Sequence, residues 1–347
     1  MSPGRPRATI TDVAAQAGVH PSTVSRVLNA NVDSTIRPET RQRVRVAAER
    51  LGYRASPLAR SLRLQRTLTL GMLVPDITNP FFSSIIKGAE DAARDRGYTL
   101  ILGNSEDEPE REATYLRVLR ERQVDGLLIA SSQMADETIA ELREDGFPFV
   151  LLNRGARHTE DLVVVVDNHA AAVEVVDHLA ALGHRRVGHI AGPQNTTTGV
   201  DRLEGYRAAV RMHGLADEPA LVVVAEAFSE AAGRRALATM LAGSARPTAV
   251  FAANDLIAIG MLQRLRQVGA RVPQDLSIVG FNDIPLAGLL EPALTTVRVP
   301  QLEMGLAGTH LLIDRLEGRP IRDVRLTLPT TLVIRASTAP PAVPATS

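Results

Sequence analysis

The chain has 347 residues with 39 basic and 39 acidic side chains, so its net charge identifies no class of partner. It contains no cysteine, which excludes a disulfide framework and thiolate chemistry. The N-terminus lacks the apolar core of a signal peptide, and the apolar run Leu162–Val166 is far shorter than the ~20 residues of a membrane span. We therefore expect a soluble, cytoplasmic protein of two or three domains with no membrane partner.

Charge is distributed unevenly along the sequence. Residues 1–66 contain twelve arginines and four acids, a net charge of +8, and the rest of the chain carries the compensating −8. A basic N-terminal region beside an acidic remainder is typical of a protein that binds a polyanion. The alternative at this point is an ordinary charged surface in water.

Residues 9–53 predict three short helices. Thr9 begins a capping-box-like start for the first helix, and Gly18 suits its end. Pro21 suits the first turn of the second helix, where its missing N–H is no loss. The third helix ends at Gly52.

Two short helices joined by a glycine-containing turn and braced by a third are typical of a helix-turn-helix. The exposed side of the second helix carries Ser22, Thr23, Ser25 and Arg26 without any acid, so it can contact phosphates and base edges. A three-helix bundle that binds nothing is the alternative, and it does not explain this acid-free surface.

From about Thr67 the pattern changes to short apolar runs that alternate with amphipathic segments, which predicts βαβ units and parallel sheets covered on both faces. So many units over some 270 residues suit two subdomains better than one open sheet. The predicted strands are Leu68–Val74, Thr99–Gly103, Gly126–Ala130, Phe149–Asn153, Val187–Ala191, Ala220–Val224, Ala249–Ala252 and Ser277–Gly280. The predicted helices lie near 81–96, 109–122, 136–145, 169–182, 200–213, 229–242, 254–268 and 300–317.

Long motifs in one order along the chain resemble the LacI/GalR family of bacterial repressors. The resemblance covers roughly residues 8–335. The matching motifs are ITDVAAQAGVHPSTVSRVL and RPETRQRVRVAAERLGYRASPLARSLR at the N-terminus, then LGMLVPDITNPFFSSIIKGAEDAARDRGYTLILGNS, QVDGLLIAS, LGHRRVGHIAG, RLEGYRAA, FAANDLIAIGML, VPQDLSIVGFNDIP and PALTTVRVP.

The resemblance implies the domain organisation. An α/β architecture is expected, in which a three-helix helix-turn-helix head and a hinge helix precede a body of two parallel-sheet subdomains, similar to type I periplasmic binding proteins. The expected domains are a DNA-binding domain (1–55), a hinge helix or linker (56–66), a ligand-sensing and dimerisation domain (67–338) and a disordered tail (339–347). The expected N-subdomain comprises about 67–163 and 294–324, and the expected C-subdomain about 164–293 and 325–338.

The resemblance further implies a homodimer on double-stranded operator DNA, with one recognition helix in the major groove of each half-site. Pro21, Ser22 and Arg26 match base-reading positions. Arg26 has independent physical support, since a guanidinium can donate two hydrogen bonds to guanine O6 and N7. The sequence departs from the family at His20 and Arg37, where small hydroxyl side chains usually cap the helices. The residues matched to DNA contacts are Thr11, His20, Pro21, Ser22, Thr23, Ser25, Arg26, Asn29, Arg60, Leu62 and Arg63.

The segment Ser56–Arg63 matches the family's hinge helix, and its sequence is too short to form a stable helix alone. In the family the paired hinges enter the minor groove at the operator centre. By this match Leu62 is an apolar wedge between base steps, whose unstacking cost of a few kcal/mol is offset by wider contact. The alternative is a leucine that packs in the dimer interface.

The body is expected to hold a ligand in the cleft between subdomains, beyond the carboxyl ends of its strands. Amides, carboxylates, an arginine and aromatic rings suit a neutral polyhydroxyl effector such as a sugar. Arg202 is the leading candidate; Asn254 and Asp255 fit a helix N-cap equally well, and Phe82 fits the core. Asn282 stands where many relatives carry an acid. The candidates are Asp76, Asn79, Phe81, Phe82, Asn153, Arg154, Arg202, Asn254, Asp255, Asn282 and Asp283.

An enzyme is the main alternative class. The sequence has no Ser/His/Asp arrangement, no phosphate-binding loop and no GxGxxG after a strand. His184 and His189 lack a nearby acid that would complete a metal site, so we expect them to be structural. A secreted solute-binding protein would need a signal peptide and no basic head. We therefore predict a transcriptional regulator of the repressor type, without catalysis, cofactor or metal.

Within this prediction two points stay open. The effector is either an inducer or a corepressor, and a protein coeffector is the alternative to a small molecule. The Pro-rich segment after Arg335 lacks the leucine heptads of the family's tetramers, so we expect a dimer.

Overall fold

The computed structural model describes residues 8–29, 36–53, 66–134, 137–155, 161–244 and 246–342. The chain divides into two compact units, Met1–Leu68 and Thr69–Ser347. The predicted hinge, with Arg60, Leu62 and Arg63, lies outside the described residues.

The first unit contains three helices in its described residues. They are α1 (Ile10–Ala17), α2 (Pro21–Asn29) and α3 (Pro38–Leu51). The predicted capping box of α1 is confirmed: the Asp12 amide donates to the Thr9 hydroxyl and the Thr9 amide donates to the Asp12 carboxylate. Gly18 ends α1 with a left-handed φ of 63°, which a residue without Cβ adopts at little cost.

The three helices share one small apolar core. Val13, Val24 and Val44, one from each helix, are fully buried in it. Burying these faces leaves the opposite face of α2 in contact with solvent. Arg37 precedes α3 without a side-chain cap, and Pro38 takes the first helical position instead.

The second unit contains two six-stranded sheets. The strands are β1 (Thr69–Val74), β2 (Thr99–Asn104), β3 (Gly126–Ile129), β4 (Phe149–Leu152), β5 (Val163–Val166), β6 (Val187–Ala191), β7 (Val222–Val224), β8 (Ala249–Ala252), β9 (Ser277–Asn282), β10 (Thr295–Arg298), β11 (Arg325–Leu328) and β12 (Thr331–Val333). The helices are α4 (Pro80–Asp95), α5 (Pro109–Glu121), α6 (Glu137–Glu144), α7 (Asn168–Ala181), α8 (Thr197–Met212), α9 (Glu230–Ala242), α10 (Asp255–Gln267) and α11 (Gln301–Leu316).

Both sheets are built almost entirely from parallel strands. Their orders are β11-β5-β4-β3-β1-β2 and β12-β10-β9-β8-β6-β7, and only β12 runs antiparallel to its neighbour. Every residue of β3, β4, β6, β8 and β9 is buried, as expected where helices cover both faces of a sheet. The predicted body of two parallel-sheet α/β subdomains is confirmed.

The predicted subdomain boundaries need correction. β5 and β11 pair with each other in the first sheet, Leu326 opposite Val164, so neither strand belongs to the C-subdomain. β10 pairs with β9 in the second sheet and does not belong to the N-subdomain. The chain therefore crosses between subdomains after β5, after β10 and after β11.

The tail prediction is wrong at its first residue. The Ala339 carbonyl accepts hydrogen bonds from His184 Nε2 (2.9 Å) and from the Ser277 hydroxyl (3.1 Å). The Ala339 amide donates back to the same hydroxyl (3.1 Å), so this residue is fixed beside β9. His184 is structural here, as predicted; residues 343–347 lie outside the described part of the chain.

Candidate DNA-binding surface and ligand cleft

The predicted DNA contacts whose side chains are described lie fully or partly exposed on the first unit. Thr11, Ser22 and Arg26 are exposed, and His20 is exposed just before α2. Pro21, Thr23 and Ser25 are partly exposed on α2; Asn29 ends this helix, and its side chain lies outside the description. One helix face thus offers hydroxyls and a guanidinium without a carboxylate, which is the chemistry that phosphates and base edges accept.

His20 caps α2 with its ring. Nδ1 of the imidazole accepts the Ser22 amide at 3.2 Å and lies 2.8 Å from the Ser22 hydroxyl oxygen. The backbone carbonyl of His20 accepts the amides of Thr23 (2.8 Å) and Val24 (3.3 Å). A departure from the family's hydroxyl cap therefore still satisfies the first amides of the helix.

A cavity lies in the second unit where the carboxyl ends of its parallel strands meet. About 290 Å³ of space, part of it continuous with solvent, lies between its walls. Its walls come from both sheets and from the helices that follow them. The lining residues are Asn79, Phe81, Phe82, Asn153, Arg154, Thr198, Arg202, Phe228, Asn254 and Asn282.

Eight of the predicted effector residues line this cavity, and Asp76, Asp255 and Asp283 do not. Each of the three carboxylates is held by other partners. Asp76 accepts hydrogen bonds from the amide and hydroxyl of Thr78, in a local turn. Asp283 pairs with Arg298 at 2.7 Å.

Asp255 is structural in this arrangement. Its carboxylate accepts the Thr296 hydroxyl (2.6 Å) and the Ile284 amide (2.9 Å), so it ties the start of α10 to β10 and to the segment after β9. Complete burial raises the pKa of Asp255 to about 7. Asp255 was predicted to contact the effector, but its side chain does not line the cavity, because Thr296 and Ile284 hold the carboxylate.

Two lining residues were not predicted. Thr198 lies in the first turn of α8, one turn before Arg202, and a polar residue at this spacing was a usable signal. Phe228 lies in the loop between β7 and α9. Its sequence neighbourhood carries no periodic pattern, so only the assembled fold brings its ring to the cavity.

Arg202 is 3% exposed and is already partly engaged. Nε donates to Asn168 Oδ1 at 2.9 Å, and Nη1 donates to the Ala253 carbonyl. The guanidinium carbon lies 3.7 Å from the centre of the Phe281 ring. Burial lowers the pKa of Arg202 to about 9, so the group remains a cation at neutral pH.

Arg154 enters the cavity from the first sheet. Nη1 donates to Asp107 at 2.7 Å and to the Ser131 carbonyl at 3.3 Å, and the guanidinium lies 5.6 Å from the Phe228 ring centre. Its Nε is buried and has no hydrogen-bond partner among the described residues. The residue thus brings to the cavity a donor that a ligand can satisfy.

Two amides offer unsatisfied acceptors. Asn153 directly follows β4 and Asn282 ends β9, both with left-handed backbones, φ 64° and 117°, which asparagine tolerates better than most residues. The Oδ1 atoms of both are buried without a partner in the described structure. A buried acceptor without a donor is costly, so both favour a ligand that donates hydroxyl protons.

Aromatic rings form the apolar part of the wall. Phe81 and Phe82 pack edge to face with ring centres 5.0 Å apart, and both are at least 97% buried. Asn79 caps α4 through the Phe81 amide (3.1 Å), which holds these rings in place. Asn254 likewise caps α10 through the Ile257 amide (2.8 Å), as predicted, and it also lines the cavity.

Hydrogen bonds cross the cleft beside the cavity. The Gly155 amide, after β4, donates to the Thr197 hydroxyl at 3.1 Å. The Met134 amide donates to the Asn195 carbonyl at 2.9 Å. The two subdomains therefore meet directly in this arrangement, and these bonds must break if the cleft opens.

The described residues contain no group of three or more His, Asp or Glu side chains placed to hold a metal ion. His189 is completely buried, stacked against Tyr206 and Phe251, and burial lowers its pKa to about 3. None of the described helices combines the length and apolarity needed to cross a bilayer.

Comparison with known proteins agrees with both halves of this description. Residues 9–56 match the bacterial regulatory proteins of the lacI family, and residues 176–338 match the periplasmic binding protein-like domain. The HTH-type transcriptional repressor CytR of Escherichia coli (strain K12) is 36% identical over 331 residues, which cover 95% of this chain and 96% of that protein.

Two solved structures extend the likeness over the whole chain. A transcriptional regulator CelR–cellobiose complex is 35% identical with a TM-score of 0.72, covering 95% of this chain and all of that one. The lac repressor dimer bound to operator and the anti-inducer ONPF is 25% identical with a TM-score of 0.83, covering 96% of this chain and all of that one. Identity of this extent to a curated repressor, together with the matched DNA-binding region, places the chain in the lacI family of bacterial regulatory proteins.

Proposed function

We propose that this chain is a homodimeric, operator-binding transcriptional repressor, and that a polyhydroxyl effector bound in the cleft of the second unit controls its affinity for DNA. The observation that carries the proposal is one chain with an acid-free exposed face on α2 and a polar, aromatic-walled cavity between two sheets. Because its target is operator DNA, we place the protein in the cytoplasm.

The chemistry of the cavity wall limits the class of compound that can be the effector. Among the described residues its wall contains two arginines, amides and phenylalanines but no carboxylate. Buried acceptors on Asn153 and Asn282 call for ligand hydroxyl donors, and Phe82 or Phe228 offers a ring face. A positively charged ligand would meet Arg202 without a carboxylate to balance it, so we expect neutral sugars or nucleosides and exclude amino sugars.

The effector acts by binding one arrangement of the two subdomains more tightly than the other. The bonds from Gly155 and Met134 across the cleft are the contacts that such a change would make or break.

The test combines DNA selection with a ligand panel. Purified protein selects its operator from random duplexes, and fluorescence anisotropy then measures affinity with pentoses, hexoses, nucleosides, their amino-sugar analogues and uronic acids. We expect saturable binding that one neutral compound shifts and its amino analogue does not. Affinity should also fall steeply with salt, because the arginine-rich region releases counterions from DNA.

Each failure has a distinct meaning. No selected sequence, or affinity that does not respond to salt, would contradict the assignment of DNA binding to the basic N-terminal region. A selected operator whose affinity no compound alters would contradict the effector proposal. An amino sugar that binds as well as its neutral parent would overturn the role given to the acid-free cavity wall.

A further inference from the structure

We propose that His20 fixes the Ser22 hydroxyl as a hydrogen-bond acceptor, so that Ser22 selects an amino-bearing base, adenine or cytosine, in the major groove. This inference rests on the proposed operator binding by α2. It assigns His20 a positioning role in sequence recognition, in place of the direct phosphate contact that position would otherwise suggest.

The ring's protonation follows from its partners. A backbone amide can only donate, and the Ser22 amide points at His20 Nδ1 from 3.2 Å. Nδ1 must therefore carry the lone pair, so the ring proton is on Nε2. The opposite tautomer would set two N–H groups against each other and leave the first turn of α2 without its cap.

The same lone pair determines the direction in which the Ser22 hydroxyl donates its proton. Its oxygen lies 2.8 Å from Nδ1, and an atom without a proton can only accept, so the hydroxyl donates its single proton to the ring. The Ser22 oxygen then has only lone pairs to offer to solvent or DNA. A serine with a free hydroxyl could donate or accept, and the cap removes the first option.

The location of Ser22 on α2 allows this acceptor-only hydroxyl to contact a base. Ser22 is exposed in the first turn of α2, with no other described hydrogen-bond partner. Arg26 follows four residues later on the same exposed face. In the major groove, adenine N6 and cytosine N4 are donors, whereas guanine O6 and thymine O4 are acceptors. An acceptor-only serine therefore discriminates between amino and keto bases, one helical turn from an arginine suited to guanine.

The experiment uses the full-length protein and random duplex DNA, followed by sequencing of the bound fraction. We expect wild type to show one position at which adenine or cytosine is favoured about tenfold over guanine or thymine on the contacted strand, the ratio expected from one unmet hydrogen bond. Ser22→Ala should abolish that preference at this position alone.

Two substitutions at His20 separate positioning from capping. His20→Gly leaves α2 close to its original stability, because glycine is tolerated at a cap almost as well as a polar side chain, yet it frees the Ser22 proton. The preference should fall to about twofold or less, with the rest of the motif retained. His20→Asn restores an acceptor at the position of Nδ1, so the preference should return.

The outcomes separate the inference from the proposed function. If no variant selects a sequence, the operator-binding proposal fails. If wild type and His20→Gly select the same bases with equal preference at the Ser22 position, or if that position favours guanine or thymine in wild type, the inference fails and operator binding stands.

Discussion

At the scale of single residues, Arg202 combines two tasks. Its Nε and Nη1 satisfy the Asn168 side chain and the Ala253 carbonyl, and its guanidinium lies over Phe281. Only its remaining donors are free to meet a ligand. Substitution of Arg202 therefore cannot be a purely functional lesion, since it also removes donors from buried acceptors.

We predict that Arg202→Ala abolishes the effector response and lowers the free energy of unfolding by roughly 2–4 kcal/mol, the cost of two buried acceptors without donors. Urea unfolding measures the second effect, and anisotropy with effector measures the first. Arg207→Ala, an exposed arginine on the same helix, should change stability by less than about 0.5 kcal/mol and respond to effector normally. A normal response in Arg202→Ala would remove this residue from the binding site.

Residues at the cleft were predictable to different degrees. Asn153, Arg154 and Asn282 lie at or just beyond the carboxyl ends of strands, so the parallel-sheet rule is enough to bring them to the cavity. Asp283 follows the same strand as Asn282 but points to Arg298 and Arg335, because a one-residue step and a left-handed φ of 53° redirect its side chain. Sequence gives the position of a residue along a strand end, but side-chain direction depends on partners far along the chain.

At the scale of elements, close helix packing depends on glycine. α4 and α11 cover the first sheet together and cross at Gly88 and Gly305. A Cβ at Gly305 would lie 2.0 Å from the Ile85 carbonyl oxygen, and one at Gly88 would lie 2.1 Å from the Leu302 carbonyl oxygen. Both obstacles are backbone atoms, so a rotamer change cannot relieve them.

Gly305→Ala is therefore expected to lower the free energy of unfolding by about 1–3 kcal/mol through overpacking, although alanine has the higher helix propensity. His310→Ala, at an exposed position of the same helix, is the matched control and should stay within about 0.5 kcal/mol of wild type. The denaturant midpoints of wild type, Gly305→Ala and His310→Ala measure these differences in stability. A stabilised Gly305→Ala would show that the two helices move apart at little cost.

The element pattern was easier to predict than the pairing of strands. All eight long helices of the second unit and eight of its strands were predicted from periodicity. β5, β10, β11 and β12 were not predicted, and β11 and β12 are half exposed, so they lack the continuous apolar run of a buried strand. The valines of β5 were visible as an apolar run, but its partner β11 lies some 160 residues later, beyond the reach of local pattern.

At the scale of the whole molecule, buried histidines link stability to pH. Burial lowers the pKa values of His178 and His184 below the usual 6.5, and that of His189 to about 3. Below pH 6.5 these histidines bind protons in the unfolded chain but stay unprotonated in the native protein. Their contribution to the free energy of unfolding is therefore lost as the pH falls. Asp255, with a raised pKa, acts in the opposite sense, and its contribution is lost as the pH rises towards 7.

We predict that His189→Phe flattens the decline of unfolding free energy between pH 6.5 and 4 by up to about 1.4 kcal/mol per pH unit, the equivalent of one proton. The Nδ1 bond of His189 to Phe251 is also lost, so the variant is less stable at pH 7. Tyr206→Phe, which removes a buried hydroxyl from the same ring stack, should lower stability without altering the slope. Equal slopes in wild type and His189→Phe would contradict a neutral native ring.

The pairing of β5 with β11 also affects how the protein is made. The first sheet is incomplete until Arg325–Leu328 has been synthesised, and the second lacks β12 until Val333. At a synthesis rate of ~5–20 residues per second, β5 is without its partner strand β11 for roughly 8–30 s after it has been synthesised. The three-helix unit is contiguous and complete by Tyr53, so it can fold during translation. Its basic surface can therefore be ready for DNA while the body is still a nascent chain that needs protection from aggregation.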